Sequence, residues 1–210
     1  MVDTVKRSSY ALGVSPQTLR ETVLKAAVEY IADHGPDGLS FRQVAQAAGV
    51  SHQAPYHHFT DRKGIFEAIT SEGYELFTAA LVETLANDPD DPSAALLETY
   101  VGFALDHRGH FRVMFRPDLC TISDNPELER VADGAFDVLV DFVREILGPK
   151  ASINDIRARA TAMWALAHGL ATLLIDGPLD DTIGPVTNWR ALVRSVAEQS
   201  GIATPKKRGR

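Results

Sequence analysis

Phe41 to Phe59 reads FRQVAQAAGVSHQAPYHHF. Phe41, Val44, Ala45 and Ala48 recur at i, i+3, i+4 and i+7, one face of a helix too short to stand alone in water. Ser40 precedes it with Gln43 three residues on, the spacing of a capping box. Gly49 suits the left-handed residue that ends a helix, Val50 tucks beneath the turn, and Ser51 is placed to cap a second helix from His52 to Phe59. The stretch therefore predicts a helix-turn-helix. In that arrangement the second helix enters the DNA major groove while the first crosses the backbone.

Outward from this core the pattern stays helical. Ser15-Pro16 is a cap with proline in the first turn, and Leu19, Val23, Ala26, Ala27, Tyr30 and Ile31 follow at helical spacing. From Arg62 to about Leu85, Phe66, Ile69, Leu76, Phe77, Ala80 and Thr84 predict a long connecting helix that NDPDDPS at 87–93 breaks. Further helices are expected over about 94–107, 109–115, 128–147, 152–176 and 187–200, with 116–125 as loop and KKRGR as a solvated tail. No strand-like alternation or repeat appears, so the fold class is all-α.

These residues, from about Ser15 to Phe66, resemble the N-terminal domain of the TetR (tetracycline-repressor-like) family of bacterial transcription regulators. The likeness rests on the loop HGPDGLS at 34–40, AxxAGVS at 45–51, YxxF at 56–59 and the pair Arg62-Lys63. It implies a three-helix helix-turn-helix domain over 15–61 after an arm at 1–14. A larger helical domain for effector binding and dimerisation follows over 62–202, with a disordered tail at 203–210. Trp164, His168 and Gly169 form a W-x-x-x-H-G pattern similar to the C-terminal domain of one subgroup.

The expected function is a DNA-binding regulator, a repressor that holds a near-palindromic operator as a homodimer and is released by a small molecule. Ser40 and Arg42 are expected at phosphates. Ser51, His52, Gln53 and Ala54 open the reading helix, Gln53 being suited to paired hydrogen bonds with adenine and Ala54 to a thymine methyl. Tyr56, His57 and Lys63 are expected on the backbone, whereas His58 and Phe59 read as core. Pro55 departs from the family's commoner small or aliphatic residue, but falls in the first turn, where a missing N–H costs little.

The stretch 161–175 is apolar around nearly its whole circumference and needs burial on both sides. The resemblance implies that helices 152–176 and 187–200 pair with their counterparts, with Ala162, Ala165, Ala167, Gly169 and Ala171 allowing close approach. The alternative is an ordinary core helix. An effector is expected among Phe103, Phe111, Met114, Phe115, Phe136, Met163, Trp164 and His168.

Composition narrows the alternatives. The chain has 210 residues, 45% hydrophobic and 23% charged, with a formal net charge of −7. Residues 1–64 hold seven Lys/Arg against six Asp/Glu, whereas 65–204 hold ten against twenty-two, so the acidity lies away from the motif. No secretory run opens the chain, and 161–175 reads as too short and interrupted to span a bilayer, so a bacterial cytoplasm and no membrane are expected. The single cysteine, Cys120, excludes an internal disulfide. His52, His57 and His58 lack the i, i+4 spacing of a paired metal site, so neither metal nor cofactor is expected. No G-x-S-x-G, H-E-x-x-H or phosphate loop argues for an enzyme. A helical ligand-binding or protein-interaction module without DNA binding is the rival reading.

Overall fold

The computed structural model describes residues 16–202. The cap at Ser15, the arm at 1–14 and the tail at 203–210 lie outside them. Among the described residues the chain is helical, running α1 (Pro16–His34), α2 (Phe41–Ala47), a 3-10 turn (Pro55–His57), α3 (Arg62–Ala86), α4 (Pro92–Asp106), α5 (Arg108–Met114), α6 (Pro126–Leu147), α7 (Ile153–Ile175), α8 (Pro178–Ile183) and α9 (Trp189–Gln199). A second 3-10 turn, Ile122–Asp124, lies within the loop expected at 116–125.

Side-chain caps set most of these boundaries. Asp61, Asp91, Asn125, Ser152 and Asn188 each accept a backbone N–H in the first turn of the helix that follows, answering donors a helix start leaves unpaired. The 25-residue α3 is the spine, about 37 Å long at the helical rise. Its N-terminal half carries Ile65, Phe66 and Ile69 into the core beneath α1 and α2. Its C-terminal half carries Tyr74, Phe77 and Leu81 into the larger core built by α4, α6, α7 and α9. Leu76, expected on the buried face, is 41% exposed.

The N-terminal core is completed from the body. Val23, Ile31, Leu39, Phe41, Val44 and Phe59 cluster with Val113 of α5, Cys120 of the following loop and Leu128 of α6. Arg112 donates to the carbonyls of Ala32 (3.1 Å) and Ile31 (3.4 Å), satisfying oxygens at the end of α1 where a cation is also favoured by the helix dipole. Arg116 bridges Asp118 (2.7 Å) and Asp37 (3.2 Å), tying the α1–α2 loop to the α5–α6 loop. Gly109 lets α5 lie directly on α1, where a Cβ would come within 2.2 Å of the Val28 carbonyl oxygen.

α7 is buried on one side only. Ile156, Ala160, Met163, Ala167, Leu170 and Ala171 face the core. Ala158, Thr161, Ala162, Ala165, Thr172 and Leu173 are exposed, and Gly169 is half-buried. Of the small residues expected to meet a partner, Ala167 and Ala171 therefore pack inside their own chain. The 23 residues of α7 are long and apolar enough to cross a bilayer by length and composition, which corrects the reading of 161–175 as too short, yet one face packs on α4 and α6. α9 packs on α4, where the Arg194 guanidinium pairs with Glu98, and its outer face carries Arg190, Arg194 and Glu198.

Candidate nucleic-acid interface and ligand cavity

The turn of the motif is built as its sequence prescribes. The Ser40 hydroxyl oxygen accepts the Gln43 N–H (3.3 Å) and its proton goes to the Gln43 side-chain oxygen (2.6 Å), while the Gln43 amide donates to the Tyr30 hydroxyl (2.8 Å). Gly49 takes φ 66°. Its N–H reaches the Gln46 carbonyl at 3.2 Å and that of Val50 reaches Ala45 at 3.0 Å, the paired bonds of a Schellman ending.

The second element differs from the expected α-helix at 52–59. Residues 52–54 form a turn and Pro55–His57 a single 3-10 turn. The physical reason is Pro55. In an α-helix begun at His52, residue 55 would donate the first backbone bond back to Ser51, and proline has no N–H to give. The Ser51 carbonyl instead accepts Ala54 N–H at 3.0 Å. The same three-residue spacing continues from Tyr56 to Gln53, His57 to Ala54 and His58 to Pro55 at 3.1, 3.2 and 3.1 Å. Proline here sits where a donor is needed, so the expectation that it costs little is corrected.

This geometry sorts the expected contacts. Ser40, Arg42, Ser51, His52, Gln53, Tyr56 and His57 are exposed. Tyr56 is 59% exposed, yet its ring stands edge-on against Phe41 at 4.4 Å, so its hydroxyl is aimed rather than free to swing. Ala54 is only 4% exposed and packs inward, which removes it as a base contact. Phe59 is core beneath the Arg20 guanidinium at 5.3 Å, while His58 is half-buried. Lys63, expected at phosphate, pairs with Asp124 (3.3 Å) and Glu67 (3.7 Å). The hydrogen bond to Asp124 raises its pKa, and the partner comes from 61 residues away.

In the body, α3, α4, α6, α7 and the loop after α5 enclose a cavity of about 430 Å³. Phe115, Phe136, Met163 and Trp164 line it, as expected. Phe103, Phe111 and Met114 are core residues outside its lining, and so is His168, which packs against Phe111 and Phe115 at ring distances of 5.4 and 4.9 Å. Sequence reasoning missed Tyr74, Tyr100, Glu129 and Asp133. The signal was present, since Tyr74, Phe77 and Leu81 share one face of α3, and Glu129, Asp133 and Phe136 one face of α6.

Tyr100 explains the tryptophan–histidine spacing. Its hydroxyl lies 2.9 Å from His168 Nδ1 and receives the Trp164 indole N–H at 3.4 Å. Residues four apart on α7 thus hold one hydroxyl, with Trp164 on the cavity wall and His168 behind it. Burial lowers the His168 pKa, which favours the neutral ring beside the tyrosine hydroxyl. Burial raises the Tyr100 pKa and pushes that of Tyr74 up to about 12, keeping both phenols protonated.

His168 also makes stability depend on pH. The unfolded chain takes up its proton near pH 6.5 while the folded chain resists, so stability is complete above about pH 6.5 and falls as pH drops toward the lower folded value. The denaturant midpoint should fall between about pH 7.5 and about pH 5.5, and fall less in His168→Gln. His107, lowered mainly by burial and then by His110, keeps a residual slope in the variant. An identical slope in both proteins would assign the effect elsewhere.

Known proteins match in both halves. The family profile described as bacterial regulatory proteins, tetR family, matches residues 23–69, and one described as tetracyclin repressor-like, C-terminal domain, matches 93–196. The HTH-type transcriptional repressor AcnR of Corynebacterium glutamicum is 36% identical over 64 residues, 30% of this chain and 34% of that protein. The chain thus spans about a third of the length of that curated relative. A protein of unknown function from Rhodococcus sp. RHA1 superposes with a TM-score of 0.71 at 30% identity, covering 91% of this chain and 96% of that one. The TetR family regulator PfmR of Thermus thermophilus shares the fold with a TM-score of 0.64 at 18% identity, over 84% and 94% of the two chains. With its motif and its helical body each matched, the chain belongs to the TetR family of bacterial regulatory proteins.

Proposed function

We propose that the protein is a transcription regulator, a repressor that binds a near-palindromic operator as a cytoplasmic homodimer and releases it when a small molecule fills the cavity. The supporting observation is the exposed set His52, Gln53, Tyr56 and His57 on one short turn with exposed Arg42 on α2 before it, the turn braced by the Gly49 ending and the Phe41–Tyr56 contact. Gln53 reads base edges, Tyr56 and His57 meet the backbone, and Arg42 supplies charge from α2. Two such heads need symmetry to span half-sites one helical turn apart, and the exposed small-residue face of α7 is the surface that favours it. The chain divides near Arg62 into head and body, and Trp164-x-x-x-His168-Gly169 supports placing the body in the W-x-x-x-H-G subgroup.

Selection of bound duplexes from a random pool tests this. A palindromic sequence should emerge. Gln53→Ala should weaken its binding by about tenfold or more and relax preference at one position. Arg42→Ala should weaken binding to all duplexes alike and flatten the salt dependence. A pool that yields no enriched duplex favours the rival module that keeps the motif as scaffold.

A further inference from the structure

The cavity walls differ in kind as well as shape. Six aromatic side chains line them, with Glu129 and Asp133 as the charged residues and no lysine, arginine or histidine. Glu129 and Asp133 are exposed and set a negative charge at the mouth, where an anion would find no basic side chain to pair with.

The ring donors are engaged in hydrogen bonds, and the exposed Ser123 hydroxyl is a further polar group of the lining. The Tyr100 hydroxyl is paired with His168 Nδ1, and it receives the Trp164 N–H. The Tyr74 hydroxyl donates to the Met114 carbonyl at 3.4 Å. What faces the cavity is therefore rich in acceptors: phenol oxygens, the Ser123 hydroxyl and, on α6, two exposed carboxylates four residues apart. Neither carboxylate has a basic partner among the described ion pairs. Arg130 is next to Glu129 in sequence but lies outside the lining. Asp133 is followed one turn later by Phe136, which is 43% exposed and stands 6.0 Å from the Trp164 ring. Asp133 thus lies about one turn from an edge-on aromatic pair on the cavity's exposed side.

We infer that the cavity takes a lipophilic organic cation, its apolar body against Phe77, Phe115 and Met163 and its positive centre between the Glu129–Asp133 edge and the Phe136–Trp164 rings. The inference rests on the reading of the cavity as the effector site. Size agrees, since about 430 Å³ falls within the roughly 300–1,000 Å³ of small-molecule sites. A ring face adds about 0.5–2 kcal/mol for a cation, to which the carboxylates add a Coulomb attraction that reverses sign for an anion. A long-chain carboxylate would meet repulsion at the edge and no basic side chain in the lining.

Tetraphenylphosphonium and tetraphenylborate have nearly the same shape and opposite charge, so the pair isolates the sign. Titrated calorimetrically into the full chain, the cation should bind at least about tenfold tighter than the anion. Glu129→Gln combined with Asp133→Asn should lower cation affinity by about tenfold and narrow the gap between the ions. Asp137→Asn combined with Glu145→Gln removes equal charge from exposed positions of α6 outside the lining, and should change it less than about twofold. Equal or tighter binding of the anion, still competed by substitutions at Phe115 or Trp164, overturns the cation inference and leaves the cavity as the effector site. Cation binding indifferent to the Glu129 and Asp133 changes overturns it as attraction to an acidic surface. Binding of neither ion overturns both this inference and the effector reading, while duplex binding, measured separately, is untouched by that result.

Discussion

Replacing Gly109 by alanine should lower the unfolding midpoint by roughly 6–12 °C, a loss of about 3 kcal/mol, from a single added methyl group. The new Cβ would lie 2.2 Å from the Val28 carbonyl oxygen and 2.8 Å from Val28 Cγ1. Backbone offers no rotamer to escape by, so α1 and α5 must part. The Arg112 bonds to the last turn of α1 and the shared Val113 contact would loosen with them. Two other glycines serve as controls. A Cβ at Gly73 would meet Met114 Sδ at 2.6 Å, a flexible side chain that turns away, so Gly73→Ala should cost less. Gly134 has nothing within 4 Å, and Gly134→Ala inside α6 should stabilise by about 0.5–1 kcal/mol through helix propensity. Thermal unfolding followed by circular dichroism ranks the three. A Gly109→Ala midpoint level with that of Gly134→Ala would refute the close seating of α5 on α1.

The second large effect is expected on α7. Ala162→Glu with Ala165→Glu should convert a dimer into monomers at micromolar concentration and weaken operator binding by more than about 100-fold. Charges brought face to face across a desolvated contact cost several kcal/mol. Both positions are exposed in the single chain, so the fold of the monomer should survive. The unusual exposure is what motivates the change, since only 28% of the most apolar window of this helix is buried. Val82→Glu, another exposed apolar position at 51%, is the matched control and should leave assembly unchanged. Sedimentation gives the state, and titration with a duplex gives the affinity. A double variant that still sediments as a dimer would move the interface to another face.

Periodicity placed α3, α6 and α7 within a residue or two of their observed ends, because each buries a stripe long enough to impose its period. Caps such as Ser40 and the glycine ending at Gly49 were legible because they act on neighbours three or four residues away. The form of the reading element was not, as the missing donor of Pro55 outweighed a helical pattern only eight residues long. α8 passed unseen because Pro178–Ile183 is too short to show a period. The Lys63–Asp124 pair and the pairing of Tyr100 were missed for one reason. Their partners, Asp124, Trp164 and His168, stand more than sixty residues away, and a period says which face is covered without naming what covers it.

Winding at three residues per turn has a geometric consequence for the motif. The Tyr56 N–H closes on the Gln53 carbonyl at 3.1 Å, and such a three-residue closure brings residues three apart nearer to one line than an α-helix does. An α-helix would fan the same side chains around its barrel. On the proposed function, so short an element with Gln53 as its base reader would engage a short run of bases per half-site, and the separation of the two half-sites would carry a correspondingly larger share of recognition.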